Sequence, residues 1–178
     1  THYVIGTGAN DPQKMDPNAS RETLDHSIMY IFAVALEDAS WHHVNSYKKS
    51  RANKKSTIKI WKSIKTHEDK KWTKKYHDPN PKNKSFGAKV VVTLNDGKKI
   101  IEKLDRADAH PYGQRPFVRK NYINKFLILT KGIISKKESD RFLKVVQKLN
   151  KLKSGQLGSL NIEVRSSQLK KNNKKGIF

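Results

Sequence analysis

The chain has 178 residues, with 38 Lys or Arg against 16 Asp or Glu for a formal net charge of +22, and it contains no cysteine. This length holds one ordinary core or two small ones. The missing thiols exclude a cysteine nucleophile, a disulfide framework and an iron–sulfur cluster ligated from this segment, and they suit the cytosol.

The charge first suggests nucleic acid, because clustered Lys and Arg neutralise phosphates. The composition argues against that reading: 31 of the basic residues are Lys, only 7 are Arg, and 13 Asn accompany them, a bias in the direction of AT-rich codons. Specific readers of nucleic acid favour the Arg fork. Here the lysines are spread through KKSRANKK, KTHEDKKWTKK, KKIIEKL and SKKESDR among acids and helix-spaced apolar residues, the pattern of a solvated surface. A basic module for RNA or DNA remains the competing reading. These residues hold no signal-peptide pattern, and IMYIFAVAL is too short to span a membrane and runs at once into Glu37 and Asp38. The chain lacks an initiator Met and opens inside THYVIG, so it reads as a fragment of a longer polypeptide.

In chain order, Gly6 to Tyr30 joins a polar, glycine-bearing loop to an apolar helix, and loop plus helix start form a place to hold an anion. Pro17, Asn18 and Ser20 punctuate the chain before a helix from about Arg21 to Glu37–Ala39. On it Leu24, Ile28, Ile31 and Ala35 mark the core side, while His26 and Tyr30, four apart, share a face. Next comes Trp41-His42-His43; adjacent histidines on a strand or helix point apart and make poor metal ligands. Ser56 caps an amphipathic helix carrying Ile58, Ile60, Trp61 and Ile64. A short turn of helix follows around Trp72, then an exposed loop at Asp78-Pro79-Asn80-Pro81, with Trp72 and Tyr76 anchoring it.

AKVVVTL, the turn Asn95-Asp96-Gly97 and KKIIEKL define a β-hairpin. The loop from Asp105 to Arg119 carries Asp108, His110, Tyr112 and Arg115, groups suited either to an acidic ligand or to a plain surface connector. Tyr122, Ile123, Phe126, Leu127 and Leu129 predict a helix stopped by Gly132; Ser135 and Glu138 form a capping box for another with Phe142, Val145, Val146 and Leu149; LNIEV is a short strand. The lysine-rich tail ends in GIF.

GTGANDPQKMDPNASRETLDHSIMYIFAVAL, WHHVNSY, WTKKYHDPNPKNKSFGAKVVVTLNDG, ADAHPYGQRPF and the terminal GIF, in this order, resemble the C-terminal part of the MmgE/PrpD family, whose type member is 2-methylcitrate dehydratase and whose relatives include cis-aconitate decarboxylase and iminodisuccinate epimerase. The resemblance implies an α+β fold: a small, lid-like domain with a β-hairpin and packed helices over residues 1–108, then a helical segment, 109–178, that returns to an absent all-helical domain. It also implies a hydro-lyase that dehydrates 2-methylcitrate without metal or cofactor in the cytoplasm, a homodimer in the full-length protein, and inactivity of the fragment alone. Nucleic acid is not an expected partner on this view. The substrate, a small tricarboxylate, needs a base, an acid and carboxylate donors. On the resemblance, the Gly6 to Asn10 backbone including Gly8, with Asn10, Asp11 and Lys14, binds substrate. His26, oriented by Asp25 or Tyr30, handles protons, and His110 and Arg115 add anion contacts. Each has an ordinary structural use as well: Asp25 as a helix-terminus acid, His26 as a satisfied histidine, Lys14 as a solvated cation.

Overall fold

A computed structural model describes residues 11–169 of the protein. It is α+β, with a two-stranded antiparallel hairpin among mostly short helices, and it divides into two compact units, one ending at Pro116 and the other starting at Phe117. No helix among the described residues is long and apolar enough to cross a membrane.

The first unit begins with a cap. The Asp11 carboxylate accepts the Gln13 N–H at 3.0 Å and opens a 3-10 turn over Pro12–Met15. Ser20 then caps α1 (Arg21–Asp25) by accepting the Thr23 N–H at 3.2 Å. The single helix expected from Arg21 onward is in fact two, because Ser27 interrupts it. Its hydroxyl accepts the Tyr30 N–H at 3.3 Å, starting α2 (Ile28–Asp38), and donates to the Lys14 carbonyl at 2.8 Å. The break resets the helical phase, so the core face of α2 is Met29, Tyr30, Ala33 and Val34, while Ile28, expected inside, is exposed.

After α2 a 3-10 turn (Asn45–Tyr47) leads into α3 (Lys49–Ala52) and α4 (Lys55–Ser63). Ser56 does not cap α4; Lys54 occupies that position without a side-chain bond, and Ser56 turns its hydroxyl to Glu37 instead. Trp61 and Thr57 of α4 are fully buried against α2, with the Trp61 ring 4.9 Å from that of Tyr30. Leu24, Met29, Val34 and Ala52 complete this core, and Met15, Tyr47, Ile60 and Ile64 pack around it. Full burial of a Leu, Met or Val contributes about 1.5–3 kcal/mol each. The core therefore anchors both the α1–α2 corner and the turn at Asn45–Tyr47.

Asp69 caps α5 (Lys70–Tyr76), accepting the Lys71 N–H at 2.9 Å. Trp72 from this helix lies against Gly87, and Tyr76 packs on Phe86 with ring centroids 5.4 Å apart. The hairpin follows: β1 (Ala88–Thr93) pairs with β2 (Lys99–Leu104), Ala88 opposite Leu104 and Thr93 opposite Lys99. Its Asn95-Asp96-Gly97 loop closes with Gly97 at φ +82° and a Gly97 N–H to Leu94 carbonyl bond of 3.0 Å. A Cβ on Gly87 would enter the edge of the Trp72 ring and approach the Leu104 carbonyl to 2.7 Å. Gly87→Ala is accordingly expected to destabilise the first unit by about 1–3 kcal/mol, as overpacking does. Urea unfolding followed by tryptophan fluorescence checks it, and an unchanged midpoint would contradict the packing described.

In the second unit α6 (Arg119–Thr130) meets α7 (Lys136–Val146) through Phe126 and Phe142, stacked at 5.1 Å. Gly132, at φ +78°, turns the chain after α6. Ser135 caps α7 by accepting the Glu138 N–H at 3.2 Å, but the other half of the expected box is absent because Glu138 faces Arg141. The expected strand at LNIEV does not form. Arg141 donates to the Ser159 and Asn161 carbonyls at 2.7 Å each, and Glu138 accepts the Glu163 N–H at 2.9 Å, so this ion pair holds the segment where a strand partner would have. Among the described residues of this unit no apolar side chain is fully buried, and Tyr122, Leu127, Ile128 and Leu129 of α6 are exposed.

Candidate functional site

The expected site residues Gly6, Gly8 and Asn10 lie outside the described residues, as does the terminal GIF. Asp11 spends a carboxylate oxygen on its own turn. The Lys14 carbonyl is held by Ser27, which sets the position of its half-buried side chain. With five residues, α1 is too short to present an anion site at its start, so any charge recognition here falls to side chains.

His26 sits at the end of α1, exposed, with its Nδ1 2.8 Å from the Glu22 carbonyl. A carbonyl only accepts, so Nδ1 carries the hydrogen, and whenever the ring is neutral the lone pair is on Nε2. This is the tautomer a base needs. Neither expected orienting group does the orienting. Tyr30 is fully buried and donates its hydroxyl to the Ser46 carbonyl at 2.5 Å; burial also pushes its phenol up, so it stays a donor. The helix break at Ser27 removes the common face on which His26 and Tyr30 were expected. Asp25 accepts instead from the hydroxyl of Tyr47, a residue the sequence reading passed over.

Tyr47 brings the aromatic cluster to the surface. Its ring is 5.0 Å from Trp41, edge to face, and 6.4 Å from Tyr30. Burial pushes its phenol up and the bond to Asp25 pushes it further, so it remains protonated. Above it lies Arg21, whose guanidinium carbon is 5.1 Å from the ring centroid and whose Nε is 3.9 Å from Asp25. His26 thus follows directly on an acid, Asp25, whose position is set by a phenol and an arginine.

Behind this corner is a network with no counterpart in the sequence reading. Arg51 donates from Nε to Asp38 at 2.9 Å and from Nη2 to Glu37 at 2.9 Å, and also bonds Thr57, which donates to Glu37. Only 14% of the Arg51 side chain and 12% of that of Glu37 are exposed. Burial pushes the Glu37 carboxyl up, but hydrogen bonds from Ser56, Thr57 and Arg51 outweigh it and hold the group down at about 2. One signal was available: with 31 Lys to 7 Arg, an Arg in this chain is a candidate for a place where a fork is used. Arg51, Arg106 and Arg141 all bear this out, each joining several partners through three of its nitrogens.

The second expected site, the loop after β2, is tied up differently. Arg106 bonds the Lys82, Lys84 and Tyr112 carbonyls; Arg115 pairs with Asp108, Nη2 to Oδ2 2.9 Å; and His110 Nδ1 accepts the Tyr112 N–H at 3.0 Å. A hollow of about 350 Å3 beside it is lined by Lys103, Asp105, Arg106 and Tyr112, without His110 or Arg115. Arg115 is exposed but already neutralised. Among the described residues no hydrogen bond or ion pair joins this loop to the His26 corner.

His42 and His43, expected to point apart, stack at 4.6 Å. They lie in a turn rather than a helix or strand, so neighbouring side chains are not forced to opposite faces. His42 Nδ1 accepts the Val44 and Asn45 N–H groups, both at 3.1 Å, which makes it a cap for the turn carrying Ser46 and Tyr47.

A small α+β unit with a hairpin is followed by a two-helix unit, so the chain is of the mixed α+β class. The MmgE/PrpD C-terminal domain family matches it over residues 1–151, and the chain belongs to that family. It is therefore the C-terminal part of a member of a dehydratase family, of lyase type.

Proposed function

We propose that the chain is the C-terminal portion of a hydro-lyase that converts 2-methylcitrate to 2-methyl-cis-aconitate in propionate catabolism, within the methylcitrate cycle. The observation that carries this reading is the His26 hydrogen bond: Nδ1 lies 2.8 Å from the Glu22 carbonyl on an exposed ring, which leaves Nε2 for proton transfer. Loss of water requires a proton to leave the carbon beside a carboxylate, the C–O bond to break, and the departing hydroxyl to receive a proton as the double bond forms. His26 moves one of these protons, with Asp25, beside it in sequence, stabilising the imidazolium. Lys14 supplies charge to a substrate carboxylate, and His110 and Arg115 are reserve contacts. Tyr30 supports the corner from below and does not touch substrate.

The complementary acid or base, and further carboxylate donors, belong to the N-terminal helical half of the same enzyme. The exposed apolar residues of α6, with no buried apolar core in the described part of its unit, support docking on that half. The isolated chain is then inactive, and the complete enzyme works as a cytoplasmic homodimer without metal or cofactor. Mixing the chain with the helical half should produce the conjugated double bond from 2-methylcitrate, read by ultraviolet absorbance. A folded complex that forms none rejects the hydro-lyase reading.

The net charge of +22 favours a second reading, a basic nucleic-acid module. Tight binding to a random oligonucleotide that weakens steeply with salt would support it.

A further inference from the structure

We infer that Arg21 is a substrate-carboxylate receptor, pre-oriented by Tyr47 and Asp25. The inference rests on the tricarboxylate reading above and adds a contact that the sequence did not suggest. Three observations converge on it. The guanidinium carbon lies over the Tyr47 ring, 5.1 Å from the centroid, within the range of a cation–π contact. Its Nε is 3.9 Å from Asp25 Oδ2, a solvent-exposed ion pair that holds the guanidinium toward this corner. Nη1 and Nη2 make no hydrogen bond to a described residue, and 52% of the side chain is exposed, so the two terminal donor groups face solvent.

This differs from the other arginines. Arg51, Arg106 and Arg141 spend their donors on carboxylates, carbonyls and a hydroxyl within the fold, and Arg115 is closed by Asp108. Arg21 alone among these five is both held and open. A planar fork matches a carboxylate through two parallel N–H···O bonds, a geometry that an ammonium lacks. The Tyr47 hydroxyl, engaged with Asp25, keeps that carboxylate turned to the protein and so reduces its competition for the fork. Arg21 opens the five-residue helix whose C-cap is His26, which puts carboxylate capture and proton transfer on one short segment.

The test titrates citrate, and acetate as the single-carboxylate control, into the 15N-labelled chain while the Arg21 Nε–H resonance is followed. Citrate is expected to shift that resonance to saturation and bind at least tenfold more tightly than acetate. Arg21→Lys is expected to weaken citrate binding ten- to hundredfold although the charge is kept, and Tyr47→Phe to weaken it by a smaller factor. Citrate binding that leaves the Arg21 resonance unmoved, no citrate binding at all, or an Arg21→Lys affinity equal to that of the unaltered chain would each overturn the inference. The same variants in the complex with the helical half separate the two readings: Arg21→Lys should raise KM for 2-methylcitrate ten- to hundredfold with kcat changed less. A complex that forms no double bond while the chain still binds citrate through Arg21 defeats the hydro-lyase reading alone. Normal KM with Arg21→Lys defeats the receptor alone.

Discussion

His26→Ala, in the complex of this chain with its helical half, is expected to lower kcat by about 10²–10⁴, the usual contribution of a positioned acid or base. The ring is exposed at the end of α1 and its single bond runs to a carbonyl one turn back, so removing it leaves the core intact. His26→Gln sharpens the comparison. Its amide can still donate to the Glu22 carbonyl, yet it cannot take a proton at the outward position. Both variants should therefore lose rate together, with unfolding midpoints close to that of the parent. Rates within threefold of the parent would remove His26 from the chemistry. A large drop in midpoint would show instead that the ring holds the α1–α2 corner.

Arg51→Met is the substitution with the largest expected effect on stability. It leaves Glu37 and Thr57 facing each other without the cation that joins them, beneath the α2–α4 contact. Removing one partner of a nearly buried ion pair costs about 3–5 kcal/mol. Adding Glu37→Gln to Arg51→Met should recover part of the loss, because the less exposed of the two carboxylates that Arg51 joins is then neutral and only the more exposed Asp38 is left without it, and denaturant unfolding of the two single variants and the pair measures the coupling.

The same group sets the acid response. The Glu37 carboxyl stands at about 2 when folded, against 4.5 ordinarily, so the folded state prefers the ionised form. Its contribution is complete above about pH 4.5 and is lost as pH falls toward 2. Glu138 adds to this in the second unit, held at about 2 by the Arg141 fork and the Glu163 N–H. Thermal midpoints measured between pH 5 and 2.5 should fall faster for the parent than for Glu37→Gln. Parallel curves would show that this carboxyl is not stabilised by folding.

How much of this was readable in advance depended on the sequence distance over which each interaction acts. The hairpin was legible because Asp96-Gly97 satisfies a three-residue loop locally and the flanking residues are β-formers. The Ser135 cap and the amphipathic helix around Trp61 were legible for the same reason. The break between α1 and α2 was not, since Ser27 is held there by the Lys14 carbonyl, thirteen residues back in the chain. Nor was the strand at LNIEV correctly assigned. Its backbone is held by Glu138 and Arg141, some twenty residues away.

The candidate site divides along the same line. His26 and Asp25 stand out as adjacent polar groups after an Arg, and their neighbourhood could be named from order alone. Which groups surround them could not. The phase reset at Ser27 buries Tyr30, and the turn capped by His42 delivers Tyr47 to Asp25 across twenty-two residues.

Composition, local turn chemistry and a long ordered set of motifs were enough to determine an α+β member of a dehydratase family, because those signals lie within a few residues or in linear order. Only the tertiary structure decided that Tyr47 replaces Tyr30 beside Asp25, that Arg51 knits α2 to α4, and that Arg21 is left with open donors. The physical reason is that a side chain's partner and exposure depend on which distant segment packs against it, and no local pattern specifies that.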